Sequence, residues 1–187
     1  MGTMLLDEDR RSPGADLGAA LDVRITHTVV PTPLGPTTLV AHDGRLSALL
    51  LPDSRYAPAQ GPFGQRDDDG FDEARTQLDE YFAGRRTVFD LPLALVGTTF
   101  QVRVWEGLLR IPYGQTWSYG ELAESVGLDP RTSSRAVGAA NGRNRIAIVV
   151  PCHRVIGADG TLTGFAAGLD RKQFLLDLEQ GRPDLLF

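Results

Sequence analysis

The chain has 187 residues, 42% of them hydrophobic, and a formal net charge of −5. That length holds one large domain or two small ones with a sizeable core, and no apolar run approaches the length of a membrane-spanning helix. The single cysteine, Cys152, excludes an internal disulfide and a cysteine-rich zinc site; the histidines, His27, His42 and His153, are spaced wrongly for a metal cluster.

In chain order, "MGTMLLDEDRRSPGADLGAA" carries acids where a signal peptide carries a basic region, and its apolar stretch is too short. Residues 1–22 therefore read as a flexible tail and the protein as cytoplasmic. "VRITHTVVPTPLGPTTLVAHDGRLSALLL" reads as three short strands, with Pro33–Pro36 breaking the first pair and Asp43-Gly44 signalling a hairpin. "APAQGPFGQRDDDG" is loop by composition. "FDEARTQLDEYFAGR" places Phe71, Leu78, Tyr81 and Phe82 on one helical face with Gly84 as the stop, and "TVFDLPLALVG" reads as a further strand and exit linker. Residues 23–97 thus form a small α/β domain, with no evident catalytic chemistry.

Residues 98–187 have a different character. "TTFQVRVWEGLLRI" sets Phe100, Val104, Trp105 and Leu108 at helical spacing, ended by Pro112 and Gly114. "SYGELAESVG" opens with Ser118 as N-cap and Glu121 three residues on, a capping box, and stops at Gly127. "LDPRTSSRAVGAANG" turns through Pro130 into a second helix capped by Thr132 or Ser133 and ending at Gly142. Two short helices joined by a tight turn read as helix-turn-helix. Ala136, Gly138, Ala139 and Ala140 leave the second helix almost bare, which suits either close helix packing or close approach to DNA. "RIAIVV" reads as a short strand delivering Pro151 and Cys152, and "GLDRKQFLLDLEQG" as an amphipathic helix with Phe174, Leu175 and Leu178 inward and Gly181 as its stop.

Charge is uneven. The first hundred residues carry nine basic and fifteen acidic side chains, the remainder ten and nine. Between Arg131 and Ala158 stand five arginines (Arg131, Arg135, Arg143, Arg145, Arg154) and no acid, and the local field is what a polyanion meets. A thiol is mostly protonated near neutral pH and becomes a nucleophile when a base or cation draws off its proton. His153 adjoins Cys152, but neighbours on an extended segment point oppositely, so a bridging water or a turn at Pro151 has to connect them. Glu179 is the acid best placed to orient the imidazole. On the residues alone, a reactive cysteine beside a basic helix-turn-helix competes with a winged-helix regulator carrying an incidental thiol. A cysteine protease fits less well, lacking a second histidine and an asparagine at the expected separation.

"PCHRV" after an apolar run, preceded by "RAVGAANGRN" and followed by "GTLTGFAAGLDRKQFLLDLE", resembles the O6-alkylguanine–DNA alkyltransferases, also called methylated-DNA–protein-cysteine methyltransferases. The resemblance runs from about Phe100 to Glu179. It implies an α/β fold, with an N-terminal ribonuclease-H-like α/β domain followed by a mainly helical, winged helix-turn-helix domain that binds DNA and reacts. It further implies direct repair of O6-alkylguanine, mainly O6-methylguanine, in double-stranded DNA by a monomer without cofactor or metal; cooperative loading on DNA stays open. In that family the helix-turn-helix enters the minor groove and the damaged base is flipped into a pocket, because the alkylated oxygen is unreachable within the stack.

Carried over residue by residue, Cys152 matches the alkyl acceptor, His153 the water-linked base, Glu179 the acid orienting it and Asn144 the hinge. Tyr119 matches the residue that pushes the target phosphate and donates a proton to the purine. Arg135 matches the finger that fills the gap left by the base, with Ala136 and Ala139 as the close-approach face and Arg131, Arg143 and Arg145 as phosphate contacts. Val150, Pro151, Phe165, Ala166 and Ala167 match the substrate pocket, where backbone groups of Val150 and Cys152 are expected to read the base edge. Transfer to sulfur gives a thioether, so each molecule reacts once. The sequence departs from the family's pattern in two extra residues between Tyr119 and Arg135, expected to lengthen the turn. It also has Arg145 for a common proline, Phe165 for a tyrosine and Ala167 for a glycine, and lacks the cysteines of an N-terminal zinc site. A lesion sensor that binds without reacting, and a regulator switched by alkylation, are the competing readings; the first lacks the cysteine and the second needs a further cysteine-bearing domain.

Overall fold

The computed structural model describes residues 23–55 and 63–182; the N-terminal segment read as a tail and the first part of the composition-defined loop lie outside the described residues. The three expected strands are present: β1 (Ile25–Thr32), β2 (Gly35–His42) and β3 (Arg45–Leu50), an antiparallel meander. Asp43 and Gly44 both take positive φ, 49° and 74°, giving the two-residue turn whose twist matches the flanking strands. A strand not expected from sequence, β4 (Gln65–Arg66), pairs parallel to β1 and completes the order β3-β2-β1-β4; two residues are too few to show any periodicity. Helix α1 (Asp72–Phe82) packs Leu78 and Tyr81 inward, with buried Phe71 just ahead of it, and Gly84 follows at φ 67°.

Two strand expectations fail. "TVFDLPLALVG" is extended but makes only an isolated bridge, Leu93 to Leu46, since Pro92 supplies a carbonyl to Leu46 and has no N–H to continue a ladder. "RIAIVV" is a coil of tight turns, described below, that touches β3 through one bridge, Leu49 to Ile146.

The second half holds α2 (Thr99–Leu108), β5 (Trp117–Ser118), α3 (Tyr119–Ser125), α4 (Pro130–Asn141), β6 (Val155–Ile156) and α5 (Leu169–Glu179), with β5 and β6 parallel. Ser118 and Glu121 form the expected capping box on α3, and Thr98 with Gln101 forms another on α2. On α4 the cap is Asp129, whose Oδ1 accepts the Arg131 N–H at 2.9 Å, and neither Thr132 nor Ser133. Pro130 at the first helical position needs no N–H partner and starts the helix earlier than expected. "GLDPRTSS" therefore divides between the turn and the first turn of α4, so the helix is longer and the connection shorter than expected.

The halves share one core. Leu39, Leu49, Leu78 and Tyr81 belong to the same buried cluster as Val104, Trp105, Leu108, Leu122, Val137, Ile148 and Leu175. Each such aliphatic side chain contributes roughly 1.5–3 kcal/mol on burial. Backbone bonds reinforce the join: Leu49 N–H donates to the Arg145 carbonyl at 2.8 Å and the Leu49 carbonyl accepts from Ala147 N–H at 3.1 Å. The segment ahead of Cys152 is thereby tied to the edge of the first sheet. The mixed α/β first half and mainly helical second half are the architecture expected. Among the described residues no helix is long and apolar enough to cross a membrane.

Candidate active site

The segment preceding Cys152 reverses on itself. Val149 N–H donates to the Ala147 carbonyl, Val150 N–H to Ile146 and Cys152 N–H to Val150, and Ile148 is held at φ 69°, a strained value for a β-branched residue. Asn144 pins this coil at both ends: its Oδ1 accepts the Ile146 N–H at 3.0 Å and its Nδ2 donates to the Val150 carbonyl at 2.8 Å. The thiol is thus presented by a clamped turn, and a short 3-10 turn, Cys152–Arg154, replaces the extended geometry expected for the pair Cys152–His153. The Val150 carbonyl, expected to read a base edge, already accepts from both Asn144 and Cys152, which uses its two lone pairs.

His153 is fully buried, and its Nε2 lies 2.7 Å from Glu179 Oε1. Burial holds the imidazole below its ordinary pKa against the opposing pull of Glu179, so the ring is neutral. Glu179 is ionised: burial disfavours its charge, but the hydrogen bonds and charges of His153 and Arg154 outweigh it and hold the carboxyl well below the usual range. A neutral ring facing an ionised carboxylate donates from Nε2, which leaves Nδ1 as the bare acceptor. His153 Nδ1 is buried and has no partner among the described residues.

Glu179 is saturated. Oε1 accepts from His153 Nε2, the Tyr81 hydroxyl at 2.7 Å and Arg154 Nη2 at 3.0 Å; Oε2 accepts from Arg154 Nε at 2.8 Å and Gly114 N–H at 3.1 Å. Arg154 also donates to the Ile111 carbonyl and lies 5.8 Å from the centre of the Tyr113 ring. It is buried, so of the five arginines counted in the basic stretch this one belongs to the site's interior and not to the surface. A carboxylate so bonded orients the imidazole and stabilises its protonated form without taking the proton.

Burial pushes the Cys152 thiol up, partly offset by the Asn144 amide, the Lys172 charge and local N–H groups. Lys172, on α5, is fully buried, with Nζ donating to the carbonyls of Val155 and Thr163; burial lowers it to about 8, and Cys152 opposes that shift. The ammonium is therefore a fixed positive charge that favours the thiolate when it forms.

Of the remaining expected residues, Ala139, Phe165, Ala166 and Ala167 line a wide opening, whereas Val150 and Pro151 do not. A mouth of about 750 Å³ is lined by Gly138, Ala139 and Gly142 on one side, residues 164–169 on another and Asp53, Arg55 and Arg171 on a third. Phe165 and Ala166 are half-buried and Ala167, Val150 and Pro151 buried. Arg55 N–H donates to the Ala166 carbonyl and Arg171 to the carbonyls of Pro52 and Ala167, fixing the 164–167 wall to the first half. The Tyr119 hydroxyl sits at 3.4 Å from the Thr163 carbonyl, and Gly164, at φ 63°, leaves it room: a Cβ there would lie 2.6 Å from that oxygen. On α4, Arg131, Arg135, Ala136 and Ala139 are exposed along one shallow groove, while Val137 and Ala140 face the core. The small-residue surface thus serves both alternatives: Ala140 packs inward, where its carbonyl accepts from Trp105 Nε1, and Ala136 with Ala139 is open. Arg143 and Arg145 are exposed near the mouth's Gly142 and form no ion pair among the described residues.

Tyr81, Arg154 and Lys172 were not expected in the site. Lys172 and Glu179 lie on the same face of α5 as Leu175, so helical spacing could have found the lysine; Tyr81 gives no sequence signal beyond its place on an apolar face.

The fold and site define a thiol-based group-transfer protein with a basic helix-turn-helix at the mouth of its pocket. Residues 25–95 match the 6-O-methylguanine DNA methyltransferase, ribonuclease-like domain, and residues 99–181 the 6-O-methylguanine DNA methyltransferase, DNA binding domain. The chain belongs to the 6-O-methylguanine DNA methyltransferase family, and is by class a methylated-DNA–protein-cysteine methyltransferase acting in DNA repair by alkyl transfer. It is 49% identical over 158 residues to the methylated-DNA–protein-cysteine methyltransferase of Mycobacterium tuberculosis (strain H37Rv), covering 84% of this chain and 94% of that one. It is 46% identical over 153 residues to the protein of that name from Methanosarcina acetivorans, covering 82% and 97%. The crystal structure of Mycobacterium tuberculosis OGT in complex with DNA superposes with a TM-score of 0.80 at 48% identity, covering 86% of this chain and 98% of that one.

Proposed function

We propose that the protein repairs O6-alkylguanine in double-stranded DNA by a single irreversible transfer to Cys152, after the base has been flipped out through the minor groove. The observation that carries this reading is a buried thiol next in sequence to an imidazole whose Nε2 is committed to Glu179 and whose buried Nδ1 is free to accept a proton. His153 Nδ1 takes the Cys152 proton through one water, and the imidazolium is held by ionised Glu179. Lys172 and Asn144 favour the thiolate, whose Sγ attacks the alkyl carbon in line. The S–C bond forms, the C–O6 bond breaks, and guanine leaves with the electron pair, taking a proton that Tyr119 donates.

The groove along α4, with Arg135 beside exposed Ala136 and Ala139, supports close approach to the duplex, and Arg131, Arg143 and Arg145 supply phosphate contacts. Flipping is required because the reacting carbon has to reach a thiol only 6% exposed, below the mouth bounded by residues 164–167. The product thioether is not cleaved by ordinary reductants, so the protein is consumed. It works as a cytoplasmic monomer without a cofactor. Intact mass after incubation with a duplex carrying one O6-methylguanine tests the reading. A gain of one methyl per chain, stopping there and absent in Cys152→Ser, is expected; an unchanged mass with tight lesion binding would make it a sensor.

A further inference from the structure

Asn141, the last residue of α4, is 1% exposed, yet among the described residues neither Nδ2 nor Oδ1 of its amide has a hydrogen-bond partner. An unpaired buried donor or acceptor bears its full desolvation penalty, and this side chain holds both. The neighbouring polar groups are accounted for: Asn144 is bonded at both ends of its amide, and Lys172 holds two carbonyls. Asn141 lines a small inner cavity of about 10 Å³ with Cys152, Asn144, Leu49, Ala147 and Phe165. Gly142 and residues 164–167 border both this cavity and the wide mouth, so it is the deep end of the same opening. With the base in the mouth and the reacting carbon at Sγ, whatever extends beyond that carbon enters the space beside the Asn141 amide.

We propose that Asn141 is a specificity residue for the far end of the O6 substituent, selecting groups that carry a hydrogen-bonding atom there, such as 2-hydroxyethyl, over apolar groups of equal size. This rests on the reading of Cys152 as alkyl acceptor. A terminal hydroxyl donates to Oδ1 or accepts from Nδ2. A terminal methyl leaves both unpaired and takes the place of any water that would have satisfied them. A site built to hydrogen-bond rejects the analogue lacking the polar atom more strongly than an apolar pocket rejects an added hydroxyl. The cavity has room for about one water-sized group, so longer chains are resisted whatever their chemistry. The transfer step itself is unchanged: the S–C bond forms, the C–O6 bond breaks, and guanine leaves with the pair.

The test is single-turnover transfer from duplexes carrying O6-methyl-, O6-(2-hydroxyethyl)- or O6-n-propylguanine, the last two being close isosteres, with alkylated Cys152 read by mass. The native protein is expected to take hydroxyethyl about tenfold faster than propyl, as one retained hydrogen bond dictates, and Asn141→Leu to bring that ratio to one or below. Methyl transfer is the reference within each protein. If the native protein does not transfer methyl, the acceptor reading fails and this one with it. If methyl is transferred but the native hydroxyethyl-to-propyl ratio is one or less, the subsite alone is overturned. A native preference that persists in Asn141→Leu also overturns it. Should that variant fail to fold, Asn141→Met takes its place beside the native ratio.

Discussion

The Tyr81 hydroxyl donates at 2.7 Å to Glu179 Oε1, the same oxygen that receives the His153 N–H. Tyr81 sits on α1, 98 residues from Glu179, and burial raises its pKa well above the ordinary value, so it remains a donor throughout the working range. The site is therefore built from both halves of the chain. Tyr81→Phe removes one donor from a carboxylate and should cost about 1.5–3 kcal/mol of stability. With less competition for Oε1, Glu179 holds the His153 proton more tightly, so the acid limb of the rate should move to higher pH. A pH profile of single-turnover transfer checks this; a stability loss with an unmoved limb would make Tyr81 a packing residue only.

Arg154 and Glu179 are a buried ion pair, and each depends on the other. Glu179→Gln leaves the guanidinium without its counter-charge and should destabilise by about 3–5 kcal/mol, whereas Glu179→Gln with Arg154→Met should recover much of the loss. Urea unfolding of the single and double variants measures this, and equal stability of the two would contradict it.

Transfer should follow a bell-shaped pH dependence. Burial depresses His153, so the neutral base persists below about 6.5 and the acid limb lies beneath that value. Lys172, lowered to about 8, loses the charge that favours the thiolate as pH rises past that point. Lys172→Met should lower the plateau and abolish the alkaline limb. Stability has its own window: with His153 depressed in the folded state, the unfolded chain binds more protons below about 6.5, so stability falls as pH drops from there. Depressed Glu179 adds a second loss at lower pH. Chemical denaturation across that range reads both.

Arg135 is exposed on the groove of α4, which Cys152 does not line. Arg135→Ala should slow reaction with a duplex lesion while hardly changing reaction with free O6-alkylguanine; equal loss on both would contradict a role in displacing the base. Alanine at Arg131, Arg143 or Arg145 should weaken duplex binding whatever its sequence and reduce the slope of log affinity against log salt by about one per contact.

Ala167 is buried and borders both the mouth and the inner cavity. The expectation is that its methyl hinders bulky groups on their way to the thiol. Ala167→Gly should raise the benzyl-to-methyl transfer ratio of O6-substituted guanines, and an unchanged ratio would place the restriction elsewhere.

The helices and the hairpin were legible because their signals are local: the Ser118–Glu121 capping box, the Asp43-Gly44 turn, the spacing of Phe100, Val104 and Leu108. The segment before Cys152 misled because an apolar β-branched run is the signature of a buried strand and equally of a buried turn. What decides between them is Asn144, whose amide satisfies the backbone groups a ladder would otherwise take. Tyr81 was invisible for a different reason: an aromatic on an apolar helix face reads as core, which it is, and only the tertiary fold brings its hydroxyl to Glu179. The cap of α4 is ambiguous in sequence because Thr132 and Ser133 are also good capping residues, and what selects Asp129 is Pro130, which favours the first helical position and so puts the cap immediately before it.

The depth of the Cys152 thiol has a consequence for storage. A protein read as reacting once has to keep its reagent intact for as long as no lesion appears. Oxidants and stray electrophiles attack exposed thiolates, and this sulfur is 6% exposed and pushed toward the protonated form. On that reading, the same burial that makes the resting nucleophile sluggish gives the molecule its shelf life, with reactivity released when a substrate carries its carbon to the base of the pocket.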